Sequence, residues 1–364
     1  MNLMKNVPKD RLSMVAVSRF GGEMLPSLPS SIPTFCYEKE RSLMIRGRDR
    51  IANYLSKKTN PEKYAPAWLK KLARDFPSDL WYVNTIVQPD LARAGKQLGI
   101  RSVLHVHELE LALQWVQREE DLLDMVNIPH LVLSCSMAAQ QMMKHLGRKE
   151  RMEVVYESIE IEPLINRPQR AMKLSRKKLG IPEDRYLWVS SGYVCSRKNP
   201  VLFIRIAEEL LKQGYPVHFM WVGSFSTPYG YYAQRLAESL NISDRITWVG
   251  EKKGEEYWET IEAADGFLLT SNQESFSVVT LEAVCLGKPV VVSPCGGVTE
   301  IVEDFVGIVT KSWGLREMVS SMVKVMGGKY PRDEEKTAQH IKQFDSSVQA
   351  DRWSKILLEY FKKE

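Results

Sequence analysis

The stretch from Ser271 to Pro294 constrains the fold of this chain more than any other. The apolar segment 266–270 leads into a polar turn that holds Glu274. A helix-patterned run from Val278 to Leu286 follows, with Glu282 on its second turn and Gly287 placed to end it. Lys288 and Pro289 then introduce the apolar Val290-Val291-Val292. A strand, a loop, a helix and a second strand in that order form the repeating unit of a parallel α/β sheet. The unit aims its helix N-terminus, with unpaired N–H groups and a partial positive charge, at the space above the strand ends. An anion suits that place, and a carboxylate just before the helix then faces a phosphate or a sugar.

Glu274 and Glu282, with seven residues between them, resemble the paired-glutamate motif of retaining GT-B glycosyltransferases, family 4. The resemblance runs through Glu274-Ser-Phe-Ser-Val-Val-Thr-Leu-Glu282-Ala, Gly287-Lys-Pro-Val-Val and Gly296-Gly297-Val-Thr-Glu300-Ile-Val. It implies an α/β chain of the GT-B kind, two Rossmann-like domains facing a cleft. The expected division is an N-terminal acceptor-side domain over 1–165, a nucleotide-sugar-binding domain over 166–345, and a C-terminal helix over 346–364 that crosses back towards the first domain.

Length and composition agree with such a chain. Its 364 residues suit two domains, each large enough for its own core. Hydrophobic content of 44% and charged content of 26% are those of a globular protein. No apolar run approaches the ~20 residues of a membrane-spanning helix. The N-terminus lacks the apolar core and cleavage site of a signal peptide. Five scattered cysteines, Cys36, Cys135, Cys195, Cys285 and Cys295, form no Cys-x-x-Cys and read as reduced thiols of a cytosolic protein. A net charge of +5 is too mild to imply nucleic acid, and no zinc-finger, recognition-helix or aromatic-basic RNA-binding motif occurs.

Along the chain, 12–18 and 32–37 read as short strands. Gly21-Gly22 stands between them, but Pro26 and Pro29 interrupt the long helix that should follow a glycine loop, so a turn is expected there. By the resemblance, the first strand, glycine loop and helix of the N-terminal domain are then missing and that domain is shortened. A second polypeptide would complete it, or the chain would bind donor without turning it over. Residues 38–76 are rich in Lys and Arg, among them Arg46, Arg48, Lys57 and Lys58, with apolar residues at helical spacing. Amphipathic helices with a solvated basic face explain this, and peripheral contact with an anionic inner-membrane face is the sharper alternative.

Arg101 to Glu108 reads as a strand, on which His105 and His107 point the same way. A His-x-His pair can ligate a metal, yet His130, His145, His218 and His340 stand alone, and no metal is expected. The resemblance instead places His107 opposite the reacting sugar, with Glu108 at an acidic position. Ser136 is explained as a helix N-cap. Where the family has Asn-Gly-x-Asp in the turn closing this domain, the chain has Glu157, Ser158 and Glu160.

In the second half, Tyr186 to Ser191 reads as a strand running into Gly192 and then into Arg197-Lys198 before a helix. Cations in a strand-to-helix loop suit a diphosphate. The resemblance gives Lys198 the phosphate-binding place. The arginine that follows the glycine in the family is Tyr193 here, which leaves its charge to Arg197. Helix-terminal residues Ser275, Phe276, Ser277, Val278 and Val279 complete the expected donor site with Gly192, Glu274 and Glu282, and the loop after Gly250 would hold the base.

The reading is metal-independent, retaining transfer of a sugar from a nucleotide diphosphate sugar, UDP or GDP, to a polysaccharide, lipid-linked or other acceptor, with no cofactor. The chain has no Asp-x-Asp for a metal-bridged diphosphate. The resemblance gives Glu282 the ribose, and Glu274 and His107 the sugar. A glycoside hydrolase also uses two carboxylates, about 5–5.5 Å apart in a retaining enzyme. Continuous helix would separate these two glutamates by about 12 Å, and a hydrolase has no use for Arg197 and Lys198.

Overall fold

A computed structural model describes residues 12–18, 30–36, 67–167, 176–330 and 332–362, with positions 4, 6 and 28. The glycine pair at 21–22 and the basic run from 38 to 66 lie outside the described residues, so the expectation of membrane contact there stays with the sequence. The chain forms two compact units, one of residues 1–158 with 346–364, the other of 159–345.

The first unit starts with β1 (Ala16–Ser18) and β2 (Thr34–Cys36), which pair in parallel, Ala16 opposite Thr34. The parallel pairing excludes a hairpin between these two strands, and most of the residues that join them, Gly21-Gly22 included, lie outside the described ones. Then come α1 (Ala67–Asp75), β3 (Leu80–Val83), α2 (Pro89–Gln97), β4 (Arg101–Val106), α3 (Glu119–Asn127), β5 (Leu131–Ser134), α4 (Met137–His145) and β6 (Met152–Val154). Strands β3-β4-β5-β6 form a parallel sheet in sequence order.

One face of this sheet packs Leu104, Val106 and Val132 against Ala92, Met125, Ala139 and Met143 of α2 to α4. The other face packs Val103, Leu131, Leu133 and Val155 against Ala350, Trp353 and Leu357. Those three lie on the C-terminal helix, residues 346–362, which the chain contributes to this unit after completing the other. Polar groups fasten the helix as well: Trp353 Nε1 donates to Tyr82 Oη at 3.1 Å, and Tyr82 Oη lies 2.6 Å from His105 Nδ1. His105 Nε2 donates to the Val155 carbonyl at 3.3 Å. His105 is thus a fully engaged core histidine, and the strand pairing of His105 with His107 does not make a metal pair.

The second unit begins with α5 (Glu162–Ile165) and continues with β7 (Tyr186–Ser191), α6 (Pro200–Lys212), β8 (Val217–Val222), α7 (Pro228–Ser239), β9 (Ile246–Gly250) and α8 (Gly254–Glu262). It closes with β10 (Gly266–Leu269), α9 (Val278–Cys285), β11 (Val290–Val292), β12 (Ile308–Val309), α10 (Leu315–Met326) and α11 (Glu334–Ile341), after which α12 (Ser346–Lys362) returns to the first unit. All strands are parallel, in the order β12-β11-β10-β7-β8-β9. Strands covered on both faces read as unbroken apolar runs, and every residue of β8, Val-His-Phe-Met-Trp-Val, is buried. Phe203 of α6 packs edge-on against Phe219 and Trp221. The order reverses at β7: the chain proceeds to β8 and β9 on one side, then returns to β10 on the other. Ligands of open parallel sheets bind beyond the carboxyl ends of the strands at such a point.

Burial pushes His218 on β8 down to about 4 and His105 well below the usual histidine range, with the neighbouring Arg185 and His107 adding repulsion at each. Both therefore stay neutral in the folded state while the unfolded chain gains protons below pH 6.5. Stability is full above that pH and is lost as it falls towards 4, on the order of 3 kcal/mol from His218. His218→Gln, which keeps a donor for Thr247 Oγ1, should flatten the fall in melting temperature between pH 6.5 and 4; an unchanged slope would remove His218 as its source.

Candidate functional site

The loops that follow β7 and β10 flank the reversal point and carry the charged residues singled out from the sequence. After β7 the chain turns at Gly192, whose φ of +137° lies where glycine is favoured. A Cβ on Gly192 would stand 2.7 Å from Lys198 Cε, so the missing side chain is the space that the lysine occupies. Gly223 lies equally close on the other side, where a Cβ would meet the Gly192 carbonyl at 2.2 Å. Trp221 Nε1 donates to that carbonyl at 2.8 Å. A short 3₁₀ turn, Ser196–Lys198, and the left-handed N-cap Asn199 then open α6, with Asn199 Oδ1 accepting from Leu202 N.

Lys198 is 7% exposed and Glu274 is 5% exposed. Their Nζ and Oε1 are 2.7 Å apart, Arg197 Nη1 is 3.0 Å from Glu274 Oε2, and Ser271 Oγ donates to Oε1 at 2.6 Å. Burial raises the Glu274 carboxyl, but Lys198, Arg197 and Ser271 outweigh it and hold the group below the usual glutamate range. Its backbone is pinned from both sides: Glu274 N donates to Cys295 O at 3.1 Å and Gly297 N to Glu274 O at 3.0 Å. The Gly296-Gly297 motif thus holds the loop that carries Glu274. Two cations against one carboxylate leave this cluster with one net positive charge.

Above the cluster, Ser277 caps α9 from a left-handed conformation, φ 88° and ψ 67°. A non-glycine residue so placed costs about 1–3 kcal/mol, which marks an over-determined site. Its hydroxyl pairs with Thr280 Oγ1 at 2.8 Å, leaving the first turn of α9 without a side-chain cap. Val278 and Val279 are half-buried at this end, as is Ser275. Phe276 differs: its ring is buried 5.2 Å from that of Phe344, so only its backbone can serve a ligand.

Glu282 sits on α9 with different partners. Burial raises its carboxyl to about 7, against hydrogen bonds from Trp258 and Tyr257 that act to lower it. Tyr257 Oη also lies 3.1 Å from Ser191 Oγ, which can donate to it, joining α8 to the end of β7. The two glutamates are therefore held by separate sets of groups, one ionised by cations and one close to neutral pH. The sequence had pointed to neither Tyr257, Trp258 nor Ser271. Ser271 could have been found from its place at the end of β10; the two aromatics lie on a helix with no motif. Tyr193, where the family has arginine, is 55% exposed.

The first unit holds His107 at the end of β4. Its Nδ1 is 3.0 Å from Glu157 Oε1 and its Nε2 is 2.9 Å from Asn84 Oδ1. Glu108 is turned into the fold, accepting from Thr85 Oγ1, Ile86 N and His107 N. Ser136 caps α4, accepting from Ala139 N at 3.0 Å.

Gly192→Ala should destabilise the chain by about 1–3 kcal/mol and more than Gly180→Ala, whose added Cβ would meet nothing. Both carry a positive-φ penalty, the larger at Gly192, and the displacement of Lys198 adds to it there. Equal losses in chemical denaturation would show that the lysine has room to spare.

Residues 172–337 match the family described as Glycosyl transferases group 1. The chain is 31% identical over 164 residues to the D-inositol 3-phosphate glycosyltransferase of Salinispora arenicola, covering 42% of this chain and 37% of that one. To the enzyme of the same name from Mycolicibacterium smegmatis it is 26% identical over 221 residues, 59% of this chain and 49% of that one. It thus spans less than half the length of these curated relatives. Among solved structures, Anabaena HepE in complex with UDP and glucose superposes with a TM-score of 0.78 at 20% identity, over 98% of this chain and 94% of HepE. The sucrose-phosphate synthase of Thermosynechococcus elongatus gives 0.75 at 16% identity, over 100% and 92%. The fold is that of the GT-B glycosyltransferases.

Proposed function

We propose that this chain, a GT-B fold whose residues 172–337 carry a glycosyl transferases group 1 domain, moves a sugar from a nucleotide diphosphate sugar to a glycan or lipid-linked acceptor. The observation that supports it best is the cluster of buried Lys198 and Glu274 with the more exposed Arg197 at the reversal point of the second sheet, in the loops that lead into α6 and the uncapped end of α9. Its net positive charge and the free helix end suit a diphosphate, and charged hydrogen bonds of this kind contribute roughly 1.5–3 kcal/mol each. Fixed donors aimed at a departing anion are usually the largest catalytic term. With Arg197, Lys198 and the α9 N-terminus balancing the leaving group, transfer needs no metal and retains the anomeric configuration. Glu282, beside Tyr257, Trp258 and the end of β7, takes the ribose hydroxyls. Glu274 takes hydroxyls of the donor sugar; for its reacting end the sequence resemblance names His107. HepE was solved with UDP and glucose, which favours a uridine nucleotide as the donor to try first.

Lys198→Ala and Glu282→Ala should each weaken UDP binding by about 10–100-fold in calorimetry, from the same 1.5–3 kcal/mol per charged hydrogen bond. Sugar-nucleotide turnover by the unaltered chain should persist in EDTA. Unchanged affinity would remove that residue from the site, and loss of turnover in EDTA would refute metal independence.

A ribose diol donates both its hydroxyl protons to an ionised carboxylate, so binding should favour the charged form of Glu282. Because that carboxyl sits near 7 in the free protein, the affinity for UDP-glucose, which has no phosphate proton to lose in this range, should fall as pH drops below 7, by up to about tenfold per unit. Glu282→Gln should abolish this dependence. An affinity flat from pH 8 to 6 would place Glu282 elsewhere.

A further inference from the structure

We propose that His107, Cys135 and Glu157 form a binding site for a zinc-class transition metal in the first unit. The three residues lie just past the ends of adjacent parallel strands β4, β5 and β6. The sheet's own hydrogen bonds set their spacing: Cys135 N donates to Val106 O at 3.0 Å, and Glu157 N to Cys135 O at 3.4 Å. The imidazole nitrogen, the sulfur and a carboxylate oxygen all lie within 4.8 Å of one another. A point within 4.8/√3, about 2.8 Å, of all three therefore exists. Zinc needs about 2.0–2.3 Å, a contraction of some tenths of an ångström. Cys135 is fully buried and fixed, whereas His107 and Glu157 keep 25% and 29% of their side chains exposed and can supply that movement.

The donor set is selective. One imidazole, one thiolate and one carboxylate suit zinc and its neighbours, with solvent as the fourth ligand, and not magnesium or calcium. The hydrogen bonding around His107 also leaves a place for a cation. Both ring nitrogens face oxygen atoms, Asn84 Oδ1 and Glu157 Oε1, yet a neutral imidazole has a single N–H. In the tautomer whose Nε2–H donates to Asn84 Oδ1, Nδ1 is available to ligate a metal beside Glu157 Oε1, 3.0 Å away. A metal between them satisfies both, and Asn84 becomes the outer partner that orients a ligating histidine. His105 takes no part, because Tyr82 and Val155 engage both its nitrogens.

Metal binding releases the Cys135 thiol proton to solvent and leaves thiolate on the ion. It also engages His107. If His107 orients the donor sugar, zinc inhibits transfer and EDTA restores it; that consequence alone rests on the proposed function.

The test is titration of the metal-stripped full chain with CoCl2, followed by displacement with ZnCl2. One equivalent should give the visible bands of tetrahedral cobalt and a near-ultraviolet thiolate-to-cobalt band. Cys135→Ser should remove the thiolate band, and Asn84→Ala should weaken binding by about 10–100-fold. Glu157→Gln, at a partly exposed position that does not threaten folding, should weaken it also. Absence of cobalt binding, a thiolate band that survives Cys135→Ser, or unchanged affinity in Glu157→Gln would each overturn the site. Bound zinc without inhibition would leave the site standing and remove His107 from the proposed transfer.

Discussion

A carboxylate buried between two cations governs the second unit. Taking Glu274 out of water as an isolated ion would cost several kcal/mol, and Lys198 and Arg197 offset this only because each reaches it directly. The loops after β7 and β10 are consequently tied together: Asn272 N donates to Arg197 O at 2.8 Å and Asn272 Nδ2 to Ser196 O at 2.9 Å. Gly192 has no side chain because Lys198 needs its space, and Gly297 returns to the Glu274 carbonyl because that loop must not drift. Cations in excess of the acid keep the cluster attractive to an anion.

Glu274 and Glu282 show how one residue type is put to two uses. Both are removed from water, and burial raises both. At Glu274 cations overcome the effect; at Glu282 only the hydrogen bonds of Tyr257 and Trp258 oppose it. The first carboxylate stays charged at any ordinary pH and can only accept. The second is poised near neutrality, so a ligand that donates two hydroxyls shifts its protonation.

What the sequence revealed follows the range of the interactions. The unit from β10 to β11 was legible because its strand, turn, helix and glycine stop follow one another, and Lys198 because a cation before a helix start is a local signal. That Phe276 can serve a donor only through its backbone was not legible, since a ring facing Phe344 cannot be told from one facing solvent within a helix-entry loop. The pairing of β1 with β2 was lost because proline spacing argues against a helix but says nothing of strand direction. Glu157, read only as a departure from a family turn, meets His107 across fifty residues, and Asn84 meets it across twenty-three. Those contacts follow from strand order, which no single sequence states.

Strand order explains why both units present clustered chemistry at the same relative place. Parallel neighbours lie about 4.8 Å apart with all their carboxyl ends on one side, so the first residues past two or three adjacent strands come within reach of one ligand. The sign of what is gathered then selects the ligand. Past β7 and β10 the excess is cationic, with free helix N–H groups above it, and an anion fits. Past β4, β5 and β6 the chain gathers an imidazole, a thiol and an acid, and a cation fits. Had Glu157 been the asparagine common in this turn, His107 would meet a neutral amide on both sides and the second pocket would lack its negative charge. A single departure from the family pattern thus decides which kind of ion the first unit can hold.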